Sequence, residues 1–139
     1  MPPTETFLIP KHRRHVAGAR QRVRKVLADW GVTGELAEGV TLLANELVTN
    51  VVTHCRISYA QAKVTLTLHG TELLLEVSDP DRDRLPRLRE PHPDQEGGRG
   101  LALVAALAED WGWRQDPYTK CVWARITLAG TEAHVPAGS

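Results

Sequence analysis

The 139-residue sequence has no run approaching the ~20 consecutive apolar residues of a membrane helix, so no membrane contact is expected. Its opening stretch, MPPTETFLIPKHRRH, lacks an apolar core of signal-peptide length, and the expected location is cytoplasmic. Neither sign of charge is in excess, because 17 Lys and Arg balance 17 Asp and Glu. That balance argues against a protein that holds nucleic acid through bulk positive charge, and no direct nucleic-acid contact is expected. Cysteine is scarce: Cys55 and Cys121 are far apart and form no paired-ligand spacing, which disfavours a disulfide scaffold or a zinc site. Two buried small hydrophobes are the plain expectation, and redox-sensitive thiols near a functional site the alternative. No internal repeat is found, and neither GxGxxG nor GxxxxGK[ST] occurs, so the common dinucleotide and P-loop fingerprints are missing. What remains is the composition of one compact domain over residues 1–139, 42% hydrophobic and 24% charged.

Hydrophobic periodicity sets out the elements. Residues 5–9 (ETFLI), closed by Pro10, predict an edge strand. From His12 to Trp30, Val16, Ala19, Val23, Val26, Leu27 and Trp30 recur at helical spacing, and Gly31 supplies the stop. The other face of this helix is basic: Arg13, Arg14, Arg20, Arg22 and Arg24 lie between Lys11 and Lys25 with no acid among them. Such a face is either simply solvated or a docking surface for an acidic protein. A second helix is expected from Thr33, whose hydroxyl can cap it, to about Cys55, with the stripe Leu36, Val40, Leu43, Leu47 and Val51. Residues 61–69 and 72–78 form a hairpin about Gly70-Thr71. An irregular Pro-, Arg- and Asp-rich stretch follows from residue 80, then a helix from Arg99 to Asp110, then strand-like WGWR and KCVWARITL. The tail 129–139 is expected to fray. Strands in hairpins with interspersed helices predict an α+β, two-layer sandwich: a mixed β-sheet with helices packed on one face.

Three constellations stand out. At about 100° per residue, Glu46, Asn50 and His54 share one edge of the second helix's buried face. Polar groups there need partners, either neighbouring backbone or a ligand or metal in a cavity that they line. Val77-Ser78-Asp79-Pro80-Asp81 ends an apolar strand in acid, which makes either a turn or a site. Gly97-Gly98-Arg99-Gly100-Leu101 opens a helix. It is either a flexible turn or a phosphate cradle, in which converging N–H groups, the helix dipole and Arg99 face the anion.

Together, and in this order, the motifs resemble those of the GHKL (Bergerat-fold) ATPases. Glu46-Leu-Val-Thr-Asn50-Val-Val-Thr-His54 is similar to the N-box, Asp79-Pro-Asp81 to a reduced G1 box, and Gly98-Arg-Gly100-Leu101 to the G2 box. The Arg-rich first helix ending in Trp30-Gly31 and the last strand Lys120-Cys-Val-Trp123 resemble the small anti-sigma factor serine/threonine kinases of the RsbW type, over roughly residues 5–128. The resemblance implies an ATP- and Mg²⁺-dependent kinase that phosphorylates an anti-sigma factor antagonist, sequesters a sigma factor and so regulates transcription. Relatives of this type commonly form homodimers.

By the same resemblance, Glu46 is the general base and Asn50 the Mg²⁺ ligand, with His54 beside them in the ATP site. Asp79 accepts the adenine amino group, with Asp81 adjacent. Gly98, Arg99 and Gly100 hold the phosphates, Leu101 covers the nucleotide, and residues 82–97 form the lid. Cys121 takes the place of an adenine-binding Thr, and Arg13, Arg20 and Arg24 face the protein partner. Where relatives commonly follow the G1 Asp with glycines, this chain has Pro80, Asp81, Arg82 and Asp83. That departure implies a less open adenine floor and leaves an alternative, a weakly active or inactive Bergerat-fold module that inhibits its partner by contact alone.

Overall fold

Alternation of apolar and polar side chains builds the sheet, and helical periodicity builds the layer that covers it. The computed structural model describes residues 2–83 and 107–128. The expectations placed on residues 84–106 and 129–139, among them most of the lid, the G2 box and the frayed tail, lie outside the described residues.

Among the described residues five strands, β1 (Thr4–Pro10), β2 (Gln61–His69), β3 (Glu72–Asp79), β4 (Ala108–Gln115) and β5 (Lys120–Thr127), form one sheet in the order β1-β2-β3-β5-β4. Every pairing among the described residues is antiparallel, where the sequence predicts a mixed sheet. The reason is topological: β3 and β4 run the same way, but the β4–β5 hairpin inserts β5 between them, so they never become neighbours. Strand β1 is the expected edge, and Gly70 makes the β2–β3 turn at φ 62°, a left-handed conformation that glycine adopts without a Cβ clash.

Helices α1 (Val16–Asp29) and α2 (Gly34–His54) carry the covering layer. From α1, Ala19, Val23 and Leu27 are buried with Val16, Val26 and Trp30 packed at the margin; from α2, all five expected stripe residues are buried. Their partners are Val64 and Leu66 of β2, Leu73, Leu75 and Val77 of β3, and Ala124 and Ile126 of β5, all on one face of the sheet. Gly31 ends α1 as expected: its N–H bonds Ala28 O at 3.0 Å and the Val32 N–H bonds Leu27 O at 2.8 Å, which satisfies two orphan carbonyls. Thr33 occupies the α2 N-cap position, but its hydroxyl makes no capping hydrogen bond, so this expectation fails.

The predicted helix to Asp110 is also corrected, because Ala108, Glu109 and Asp110 belong to β4. Helix-favouring composition loses there to pairing with β5. Ala108 lies opposite Ile126 across an irregular register, Asp110 pairs with Arg125, and Thr127 donates a hydrogen bond to Glu109. On the sheet's other face Gly112 lies under the Trp123 ring, where an added Cβ would sit 3.0 Å from Cζ2. Gly112→Val should therefore displace the indole and lower stability by about 1–3 kcal/mol, read as a lower melting temperature with a shifted tryptophan emission spectrum. An unchanged melting curve would show that the ring moves aside without cost.

Candidate functional site

The C-terminal end of α2 meets the end of β3 and the start of β5 at one end of the sandwich. Glu46, Asn50 and His54 lie at successive four-residue steps along α2, each half-buried, so they form the single edge that the sequence predicts. Two residues beyond His54, Arg56 crosses to the strand layer. Its backbone N–H donates to Asp81 Oδ2 at 2.8 Å, its Nε to the same oxygen at 3.0 Å, and its Nη2 to Oδ1 at 2.9 Å. This fork ties the helix that carries Glu46, Asn50 and His54 to the segment that follows Asp79.

Asp79 and Asp81 are both buried, at 4% and 5% exposure, so each carboxylate must be compensated. Asp79 Oδ1 accepts the Asp81 N–H at 2.8 Å, closing a tight turn about Pro80. Asp79 Oδ2 lies 3.3 Å from Lys120 Nζ, which also donates to Asp81 O at 3.2 Å. Lys120 is itself only 6% exposed. Two acids and two cations thus neutralise one another, and no described buried side-chain N or O atom is left unsatisfied.

The Arg56 hydrogen bonds hold the Asp81 carboxyl down at about 2, against an ordinary 3.8, and outweigh the opposing effect of burial. Since the folded value lies below the unfolded one, this stabilisation is complete above about pH 4 and is lost as pH falls from 3.8 through 2. Arg56→Ala should raise the Asp81 pKa and move acid unfolding to higher pH, as followed by circular dichroism. An unmoved midpoint would mean that the remaining donors suffice.

Of the other predicted residues, Cys121 is not brought to Asp79. It lies opposite Ser78 in the β3–β5 register and stands outside the core cluster, on the face away from the helices. Lys120 lies opposite Asp79 and occupies the place that the sequence reading gave to Cys121. Burial raises the Cys121 thiol pKa, as it does for Cys55, and both cysteines are free and buried, which suits small hydrophobes better than reactive thiolates. Gly98, Arg99, Gly100 and Leu101 lie outside the described residues. On α1, Arg20 donates to Asn45 Oδ1 at 2.8 Å and Arg24 pairs with Glu38 at 3.1 Å, both on α2, whereas Arg13 is exposed in the short 3-10 turn Arg13–His15 that precedes α1, which starts at Val16 rather than at the expected His12.

The sequence profile of the histidine kinase-like ATPase domain matches residues 9–126, which include both the α2 edge and the Asp79–Lys120 pair. The chain belongs to this family. No curated protein matches it significantly in sequence. Among solved structures, the RsbU and RsbW domains of Rv1364c from Mycobacterium tuberculosis superpose with a TM-score of 0.68 at 17% identity, covering 90% of this chain and 32% of that one. The histidine kinase domain of the Erythrobacter litoralis EL346 blue-light activated histidine kinase superposes at 0.57 with 18% identity, covering 84% and 63%. This chain therefore spans about a third of the first structure's length, and at these identities the likeness is one of fold.

Histidine kinase-like ATPase domains bind ATP, and the chain is an ATP-binding module of this fold. Such domains typically use Mg²⁺ with the nucleotide, and the donor set here suits that cation. Among the described residues no group of three or more His, Cys, Asp or Glu could cage a metal. A small hard cation that keeps most of its waters needs only one or two side-chain oxygens besides the phosphates, and the half-buried Asn50 amide is such a donor. Sequence reasoning missed Arg56 and Lys120. The signal for Lys120 was present, because period-two alternation places residue 120, not 121, on the face of Asp79 once the strands are in register. Arg56 carried no signal in the sequence, since its role depends on a contact 25 residues away.

Proposed function

We propose that this chain is an ATP-dependent anti-sigma factor that phosphorylates a Ser or Thr of an anti-sigma factor antagonist and sequesters a sigma factor, so regulating transcription. The observation that carries this reading is the buried Asp79, fastened through Asp81 and Arg56 to the helix bearing Glu46 and Asn50. A base-binding carboxylate and a phosphate-end helix are thereby held in one frame. The fold shared with an RsbW domain supports it.

In this reading Asp79 accepts from the adenine amino group, where guanine would present an oxygen. Asp81 fixes the adjoining turn, and Gly98, Arg99 and Gly100 hold the phosphates under Leu101 and the lid. Bound through Asn50, Mg²⁺ would neutralise phosphate charge. Glu46, with His54 two turns further along the same edge, takes the proton of the partner's hydroxyl as that oxygen attacks the γ-phosphorus. The bond from phosphorus to the β–γ bridging oxygen breaks, and ADP leaves with its electron pair. Calorimetric titration with ATP, ADP and GTP, with and without Mg²⁺, tests the site; micromolar, Mg²⁺-dependent, adenine-selective binding is expected.

One observation favours a second reading, a binding module with little or no catalysis that acts by contact alone. Both oxygens of Asp79 already have partners within the chain. Absence of nucleotide binding in the titration would select it.

For partner docking, the Arg-rich face of α1 together with the turn Arg13–His15 before it is the proposed surface. Beside it, between β1 and α1, lies a cleft of about 460 Å³ whose lining includes Leu8, Ile9 and Pro10 together with Arg14, Arg22 and Lys25. Since Arg20 and Arg24 also brace α2, Arg13 is the cleaner probe. Arg13→Glu should weaken binding of an acidic partner by about 0.5–1 kcal/mol and flatten its salt dependence, measured by titration at two ionic strengths. Unaltered affinity would move the docking surface elsewhere.

A further inference from the structure

The family reading assigns the base to Asp79 and gives Lys120 no role. Lys120 is nonetheless unusual: a cation at 6% exposure, on the inner face of β5, directly opposite Asp79 in the strand register. An ammonium group has three donors. Two are accounted for, by Asp79 Oδ2 at 3.3 Å and Asp81 O at 3.2 Å. For the third, no acceptor exists among the described residues. Among the described residues each Asp79 oxygen likewise has one partner and retains accepting capacity. Side by side, then, stand a group that can still accept and a group that can still donate.

Adenine offers the complement in the same order, an amino N–H at position 6 and an acceptor nitrogen at position 1. Guanine reverses it, with an oxygen at position 6 and an N–H at position 1. On the reading that Asp79 takes the position-6 amino group, we infer that Lys120 is a second base-reading residue and donates from Nζ to adenine N1. Guanine in the same pose would meet two mismatches, its oxygen against the carboxylate and its N–H against the ammonium. The pair also explains why a buried lysine is kept at the strand start: Asp79 supplies its countercharge, and Lys120 fixes the carboxylate's direction before the base arrives.

The test is a comparison of ATP with 1-deaza-ATP, in which a C–H replaces N1 and the amino group is retained. Titrations use the full chain with Mg²⁺, as wild type, Lys120→Met and Lys120→Gln. Wild type should prefer ATP by about ten- to a hundredfold, the range for a hydrogen bond to a charged partner. Lys120→Met should bind both nucleotides about equally and lose part of its rejection of GTP. Lys120→Gln, which retains an N–H donor, should recover part of the preference. A lysine that merely braced the fold would weaken ATP and 1-deaza-ATP alike and leave their ratio as in wild type, which would overturn the inference. Equal binding of ATP and 1-deaza-ATP by the wild type would overturn it without recourse to a variant. If wild type binds no adenine nucleotide at all, it is the nucleotide reading that fails, and this result is distinguishable from the other two.

Discussion

Glu46→Ala should lower transfer of the γ-phosphoryl group to an antagonist protein by about 10²–10⁴-fold, the usual worth of a positioned general base, while ATP affinity stays close to wild type. The separation follows from placement. Glu46 lies two helical turns before the end of α2, whereas the end of the site proposed to read the base is the network of Asp79, Asp81, Arg56 and Lys120 around the helix C-terminus. Removing a half-buried carboxylate from the helix edge leaves that network intact. Radiolabel transfer, run beside a calorimetric titration of ATP, reads both quantities on one preparation. Undiminished transfer would remove Glu46 from the mechanism, and a parallel loss of ATP binding would make it a ligand-holding group instead.

Asp79→Asn should have the next largest effect, and at a different step. The amide retains an accepting oxygen but loses the charge that balances a buried Lys120. Its NH₂ group can also turn toward the Asp81 N–H, setting donor against donor where Oδ1 now accepts at 2.8 Å. ATP affinity should fall by about 1.5–3 kcal/mol, the range for a hydrogen bond to a charged group. A melting experiment without nucleotide should show a loss of stability as well. Unchanged ATP affinity would mean that the base is held elsewhere in the fold.

Much of this architecture was legible in the residues themselves, and the exceptions share a physical cause. Helices α1 and α2 and the β2–β3 hairpin declare themselves because their signals are local: apolar spacing along one segment, a glycine at a stop, a turn dipeptide between alternating runs. The edge formed by Glu46, Asn50 and His54 follows from helical geometry alone. Misjudged features depended on partners distant in sequence. Ala108–Asp110 have helical composition but are drawn into β4 by β5, and the mixed sheet became antiparallel because β5 separates β3 from β4. Lys120 was passed over for Cys121, one residue along, since the choice between faces requires the register with β3. Thr33 has the right identity and position for a cap without making the bond, so propensity there predicted the residue's place and not its contact.

The strand order also has a consequence for how the protein is made. Because β5 is the last described strand in sequence yet lies between β3 and β4, one edge of β3 has no partner until residues 120–127 have left the ribosome. A nascent chain can assemble β1, β2, β3 and both helices as a local unit, but it carries an open strand edge and a buried-to-be Asp79 without its counterion during that interval. The same final strand closes the sheet and delivers Lys120. Ribosome-bound intermediates lacking β5 should accordingly be both aggregation-prone and unable to hold nucleotide, so that competence to bind appears only with the completed fold.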